Sequence, residues 1–320
     1  MIHLRIVVPS ESFEPTLTTL DRAASVCNLI VLRDAARKPA GDVILCDVAR
    51  EDASVVIAEL QQFGVDEFGS IAIEHVDSEV SRAAEKAELA APGLPADAVV
   101  WEDVVARTAD ESRLSVVYVT FMVVAMIIAA VGIFLDSPIL IVGAMVVGPE
   151  FGPIAGVCVA AVQRRPEAMW RSTVALLVGF PAGITVTVLF VLGARALGIT
   201  PDAFSSDDHS LSTSIANPDA YSVIVAFCAG VAGMLALTSS KSGALIGVLI
   251  SVTTIPAAAN IAVAFVYSDW PAWRGSQQQL LLNVSIILVA GLLTLGLQRF
   301  AFERRVRQRM RTAAEAGVAD

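Results

Sequence analysis

The chain has 320 residues, 55% of them hydrophobic, and a mean hydropathy of +0.68, which is too apolar for an ordinary soluble protein and points to an integral membrane protein. Residues 1–113 hold 21 Asp and Glu against 10 Lys and Arg, net −11, while the other 207 residues sum to about neutral. An acidic soluble part is therefore expected ahead of a membrane part, and the acidic balance argues against nucleic-acid binding, which needs a basic face.

In chain order, "IHLRIVV" (2–8) alternates as a strand does, and Phe13, Leu17, Leu20, Ala24 and Cys27 fall at helical spacing over 13–27. Strands follow at 28–33 and 42–49, a helix at 52–64 and a strand at 70–76. The order β-α-β-β-α-β is the ferredoxin-like plan, so residues 1–77 are expected to form a small α+β ferredoxin-like cytoplasmic domain with a regulatory or oligomerisation role. The order alone does not assign that role, and a structural cap is the plain alternative.

Residues 78–113 read as a helical connector interrupted by "PGLP" (92–95). Val99, Val100, Val104 and Val105, with Trp101 nearby, make one apolar side over 96–113. Such a helix lies at a membrane surface or packs on the soluble domain. Cys27 and Cys46 lie in the soluble part and Cys158 and Cys228 in apolar spans; this is no disulfide framework and suits a reducing cytosol. The N-terminus, "MIHLRIVVPS", has no long apolar core behind a basic start, so no cleavable signal peptide is expected.

Six apolar stretches follow, roughly 115–135, 138–162, 173–195, 221–238, 243–267 and 279–299, each near the ~20 residues that cross a bilayer. With the N-terminus inside, the inner loops and the basic tail (301–320) carry Arg164, Arg165, Arg171, Lys241, Arg299 and further arginines, whereas the outer side has Arg195 and Arg274. This bias predicts cytoplasmic N- and C-termini. The outer "YSDWPAW" (267–273) supplies interfacial aromatics. Arg outnumbers Lys 19 to 3, a composition associated with high-GC bacterial genomes, and a bacterial plasma membrane is expected.

Three landmarks recur at an offset of 103 to 104 residues. Tyr118 and Tyr221 each open a span, Pro153 and Pro256 each interrupt one, and "IAGVCVAAV" (154–162) is like "AANIAVAFV" (258–266). The expectation is a repeat of three spans, about 115–198 and 221–300, within a transmembrane domain at 114–300. Three crossings per copy invert the second copy, an architecture of secondary transporters with the substrate near mid-membrane.

The segment "IVGAMVVGPEFGPIAGVCVAA" (141–161) carries Gly148-Pro149 and Gly152-Pro153 around Glu150. Pro removes a backbone donor, so the freed carbonyls need protein or water to cover them. Glu150 is about 12 residues into its span, ~18 Å deep at ~1.5 Å per residue. A carboxylate there faces the bundle interior and is protonated or paired. Alternating protonation with solute or cation binding would make Glu150 a coupling site; a protonated Glu150 bonded to a carbonyl freed by Pro149 or Pro153 is the structural alternative. The second interrupted segment, "SVTTIPAAAN" (251–260), offers Thr253, Thr254 and Asn260. A site joining these to Glu150 would suit a cation or a small polar solute. Gly148, Gly152 and Gly156, like Gly243, Gly247 and Ser251, lie four apart and read first as helix packing. Asp136 or Ser137 before Pro138 reads as a helix cap, with a gate as the lesser alternative. Lys241 reads as a snorkelling inner-loop residue.

The three histidines, His3, His75 and His209, lie outside the spans, so no intramembrane zinc or Ser-His pair is expected. No Walker-type loop appears, and neither an enzyme activity nor a cofactor is expected.

Residues 118–165, with Asp136, Ser137, Leu140, Ile141, Gly143, Ala144, Met145 and Pro149, resemble a bacterial and archaeal membrane family known as domain of unknown function 389. The resemblance implies a multi-pass membrane protein and supplies no substrate. The expectation is a secondary transporter or permease for a small solute or ion, with the lipid bilayer around it and a homo-oligomer as its assembly. An ion channel and a membrane-anchored sensor or scaffold are the alternatives.

Overall fold

The computed structural model describes residues 1–76, 80–91, 93, 98–239 and 253–317, with side chains up to 308. The expected features at Lys241, Gly243, Gly247 and Ser251 lie outside the described residues. The chain divides into two compact units, Met1–Val104 with the chain from Arg305, and Val105–Arg304.

The first unit runs β1 (Ile2–Val8), α1 (Phe13–Arg22), β2 (Val26–Arg37), β3 (Ala40–Val48), α2 (Arg50–Gln62), the short α3 (Val65–Phe68) and β4 (Ser70–His75). The strands form one antiparallel sheet in the order β2-β3-β1-β4. Alternation in β1 sends Ile2, Leu4, Ile6 and Val8 to the covered face, where they meet Ile44, Cys46 and Val48 of β3. Phe13 and Leu20 of α1 and Val56, Ile57 and Leu60 of α2 close that face. Each such side chain contributes roughly 1.5–3 kcal/mol by leaving water.

The helix expected over 13–27 stops at Arg22. Val26 and Cys27 pair with Val48 and Asp47 as the start of β2. Sheet pairing there overrides a helical spacing that is real only as far as Leu20. Farther on, α4 (Arg82–Ala90) is capped by Ser81, whose Oγ accepts from the backbone N–H of Ala83 and Ala84.

In α5 (Trp101–Glu111), Val100, Trp101 and Val104 are buried and Val100 joins the core of the sheet domain. The Trp101 backbone N–H donates to Ser54 Oγ at 2.9 Å, and Ser54 Oγ donates to Glu102 Oε2 at 2.6 Å. This turn therefore packs on the sheet domain, the second of the two expected placements.

The second unit contains α6 (Val116–Phe134), α7 (Pro138–Val147), α8 (Phe151–Val162), α9 (Pro166–Ala196), the short α10 (Ser210–Ala216), α11 (Ala220–Thr238), α12 (Thr254–Val266) and α13 (Trp270–Gly317). Among the described residues α6, α9, α11 and α13 are each long and apolar enough to cross a membrane, and α7 and α8, bent by 46° at their junction, make a fifth if taken together. Six spans were expected. The 13-residue α12 is too short to count alone, and the residues before it, 240–252, are outside the described set.

α13 runs well beyond the expected 279–299. Its flanks, "SQQQ" and "FERRVRQRMRTAAEA", are polar but rich in good helix formers, so propensity prolongs the helix where hydropathy ends.

α8 and α12 are the enclosed elements. Phe151–Gly156 and Thr254–Ala264 are buried throughout. α6, α9, α11 and α13 instead expose large apolar side chains such as Phe121, Leu177, Leu189, Ile224, Leu281 and Leu293. Apolar outward faces suit acyl chains, and an interrupted backbone survives in lipid only when protein covers it as here.

Candidate functional site

The interruption between α7 and α8 is three residues long: Gly148, Pro149 and Glu150. Gly148 is extended, and Glu150 is the residue before the first helical turn of α8. Pro153 does not make the break. It is the third residue of α8, where a backbone N–H would have no helical acceptor in any case. Pro256 is likewise the third residue of α12. Both prolines open helices, a correction to their reading as mid-span breakers.

Gly148 sets how closely the two helix starts approach. A Cβ there would lie 2.4 Å from Glu150 Oε2 and 2.6 Å from Ile255 Cγ1. Glycine at this position lets the carboxylate and the first turn of α12 share the space. Gly152 and Gly156 are filled in the same way, by Glu111 on one side and by Ser112 and Ser172 on the other. The four-residue spacing of these glycines therefore serves packing within the chain.

Glu150 is 2% exposed. Its Oε1 accepts a hydrogen bond from Thr254 Oγ1 at 2.6 Å, and its Oε2 has no partner among the described residues. The expected bond to a carbonyl freed by proline is not what holds it. Thr254 is the first residue of α12, so the carboxylate sits where the N-terminal ends of α8 and α12 meet. Backbone N–H groups and the positive ends of two helix dipoles favour negative charge at that point.

Tyr118, buried with an unpartnered hydroxyl, packs near the same break. With Gly148, Pro149, Phe151, Glu111 and Ser115 it lines a cavity of about 330 Å³. Burial lifts the Glu111 carboxyl above its ordinary range, against the lowering influence of Arg107.

Of the other residues predicted for this site, only Thr254 reaches Glu150. Thr253 faces α13: its Oγ1 accepts from Asn283 Nδ2 at 2.7 Å and from Gln279 Nε2 at 3.3 Å. Asn260, fully buried, accepts from Ser212 Oγ at 2.8 Å and donates to Ser276 Oγ at 2.9 Å. The single expected site is thus three separate polar contacts. Helix geometry is the reason: Thr253 and Asn260, seven residues apart, share the side of α12 that meets Gln279, Asn283 and Ser276, about 100° around the helix from Thr254.

Asp136 and Ser137 also differ from expectation. Ser137 precedes α7 without a side-chain cap bond. Asp136 instead accepts from Ser210 Oγ at 2.7 Å and the Leu211 backbone N–H at 2.9 Å, capping the start of α10. The Leu211 bond, then that of Ser210, holds the Asp136 carboxyl below the usual range. Asp136 is therefore a cap not for α7, as expected, but for a helix 74 residues away in sequence.

Sequence reasoning missed Tyr118 as a site residue, and it missed Ser212, Ser276, Gln279 and Asn283 altogether. A signal existed for the last three: 276, 279 and 283 are spaced i, i+3, i+7, a polar stripe on one face of an apolar helix. Such a stripe needs buried partners, and Thr253 and Asn260 are those partners.

The model of the family described as domain of unknown function (DUF389) matches residues 145–289. The matched stretch contains the Gly148-Pro149-Glu150 break, both enclosed helices and the Gln279–Asn283 stripe, and begins after Tyr118 and Asp136. An uncharacterized protein of the archaeon Methanocaldococcus jannaschii is 25% identical over 158 residues, which cover 49% of this chain and 47% of that protein. The chain spans about half the length of that relative. No solved structure matches the chain.

Proposed function

From a chain that carries a DUF389 domain over residues 145–289, we propose a secondary transporter or permease for a small solute or ion, built as a 3+3 inverted repeat of six spans, with Glu150 as its coupling group. The observation that carries this reading is the buried Glu150 carboxylate, which has one hydrogen bond and one unpartnered oxygen where α8 and α12 begin. An acid so placed exchanges a proton or cation for a ligand more readily than one whose oxygens are both satisfied.

The repeat is supported by boundaries. α6 and α11 begin at 116 and 220 and are 19 residues long each. α8 and α12 begin at 151 and 254, each with proline third, and end at 162 and 266. The turns that follow are alike: Arg164 and Ser268 are left-handed, with Arg165 N–H donating to Ala160 O at 2.8 Å and Asp269 N–H to Ala264 O at 2.9 Å. α9 and α13 then begin at 166 and 270. Four boundaries and one turn motif at an offset of 103–104 are difficult to obtain from composition alone. Three passes per half would put the halves in opposite senses across the bilayer.

The ferredoxin-like description of the first unit is supported by its β2-β3-β1-β4 order. Cytoplasmic termini follow from the arginine bias, and a bacterial plasma membrane from composition, though the relative named above is archaeal. The proposed homo-oligomer now rests on the sheet domain, because Gly148, Gly152 and Gly156 are used within the chain. No enzymatic step, cofactor or nucleic acid enters this reading.

Purified protein in proteoliposomes tests it. Solute flux is expected to follow an imposed pH gradient and to lose that dependence in Glu150→Gln, which keeps the shape and the Thr254 contact. Flux with the same gradient dependence in both proteins rejects Glu150 as the coupling group and favours a channel. An absence of flux across a broad panel of solutes, with ligand binding to the full chain retained, favours the sensor.

A further inference from the structure

The start of α12 has its own cavity, of about 280 Å³, lined by Asp219, Ser222, Thr253, Gln279 and Asn283 among others. Its lining repeats that of the first cavity at one offset. Glu111, Ser115, Tyr118 and Phe121 line the first, and Ile215, Asp219, Ser222 and Val225, each 104 residues later, line the second. The two cavities are the same place in the two halves, furnished with different side chains.

We propose that this second cavity is a binding site for a small monovalent cation, an alkali ion or an ammonium group, held by the Gln279 side-chain carbonyl and the Asp219 carboxylate. It rests on the transport reading for its role but on its own residues for its chemistry. Gln279 is 4% exposed, and its Nε2 is committed to Thr253 Oγ1 at 3.3 Å and Asn283 Oδ1 at 3.4 Å. Asn283 Nδ2 is committed to Thr253 Oγ1 at 2.7 Å. What remains is Gln279 Oε1, a buried acceptor without a partner. Leaving it empty costs about 1–3 kcal/mol, so a ligand that brings a positive charge or an N–H removes a penalty already present.

Charge points the same way. The described lining holds no Lys, Arg or His, and its only charged side chain is Asp219 at the exposed rim. Hydrogen bonds from the Ser222 backbone and hydroxyl keep the Asp219 carboxyl below the usual range and so ionised at neutral pH. One carboxylate with neutral oxygens suits a monovalent cation, whereas a divalent ion asks for more carboxylates.

The full chain in detergent is dialysed against radiolabelled sodium, rubidium and methylammonium. Saturable binding of at least one is expected; rubidium or sodium binding alone identifies an alkali-ion site, methylammonium an ammonium site. Gln279→Leu is expected to weaken it roughly tenfold, about 1.4 kcal/mol, and Gln279→Glu to tighten it. If Gln279→Leu fails to fold, Gln279→Glu decides. No saturable binding of any probe overturns the proposal, as does an affinity indifferent to residue 279. Binding that obeys residue 279 without any flux in vesicles upholds this site and removes the transport reading. Flux that obeys Glu150, with binding blind to residue 279, does the reverse.

Discussion

α8 and α12 begin alike and differ in what their first residues touch. Each has proline in third place and each ends in the same left-handed turn. Ahead of α8 stands Glu150, an acid with one donor and a bare oxygen. Ahead of α12 stands Thr253, a neutral hydroxyl gripped by two amides from α13. Further along, Gly156 accommodates Ser112 and Ser172 where Asn260, 104 residues on, bonds Ser212 and Ser276. Two helix starts can thus share a backbone plan while their chemistry differs. Proline placement and turn geometry are constraints of the fold, whereas a charge in a low-dielectric interior is expensive enough that one suffices.

The comparison breaks most visibly at Gly148. In Gly148→Val the new side chain meets both the Glu150 carboxylate and Ile255, and a loss of up to about 3 kcal/mol is expected from overpacking. Thermal unfolding followed by far-UV circular dichroism measures it; an unchanged midpoint would mean the helix starts are not in contact. Next in size is a pair. Thr254→Val strips Glu150 of its one donor, and Thr253→Val strips Gln279 and Asn283 of their shared acceptor. Each is expected to cost about 1–3 kcal/mol. Under the transport proposal, only Thr254→Val is expected to alter the pH dependence of flux, so equal flux profiles for the two variants would erase the distinction between the two helix starts.

The smallest effect belongs to Asp136. Its folded pKa is lowered, so the cap on α10 contributes stability above the unfolded carboxylate value, about 3.9, and loses it as pH falls through the lower folded value. Asp136→Asn is expected to melt slightly earlier than the native chain at neutral pH, with the gap closing in acid. A gap that stays constant down to about pH 3 would assign the difference to something other than this titration. Because the residue is fully exposed, solvent screening keeps the effect small.

Much of this was legible beforehand because it depends on local pattern. The two-residue alternation of Ile2, Leu4 and Ile6 marks a strand wherever the chain goes. Long apolar runs mark α6 and α11 to within a residue or two of their ends. Glu150 stands out as a charge among hydrocarbons, and its burial agrees with its being singled out. Less legible were elements whose limits are set elsewhere. α1 stops at Arg22 because Val26 finds a partner in Val48, a residue 22 positions away. α13 outruns its apolar stretch because helix propensity does not end where hydropathy does.

By itself, the sequence determined that the chain has a small sheet domain, a set of membrane-type helices and an acid among apolar residues beside Gly-Pro pairs. Those depend on composition and short-range periodicity, which are properties of neighbours in the chain. Only the tertiary structure decided that Thr254 rather than Thr253 or Asn260 meets Glu150, that Asp136 caps α10, and that Gln279 and Asn283 furnish a second cavity. Hydrogen bonds between residues 74 to 104 positions apart carry no local signature. They are fixed by how helices rotate and pack against one another, and a single residue of rotation, about 100°, changes every partner.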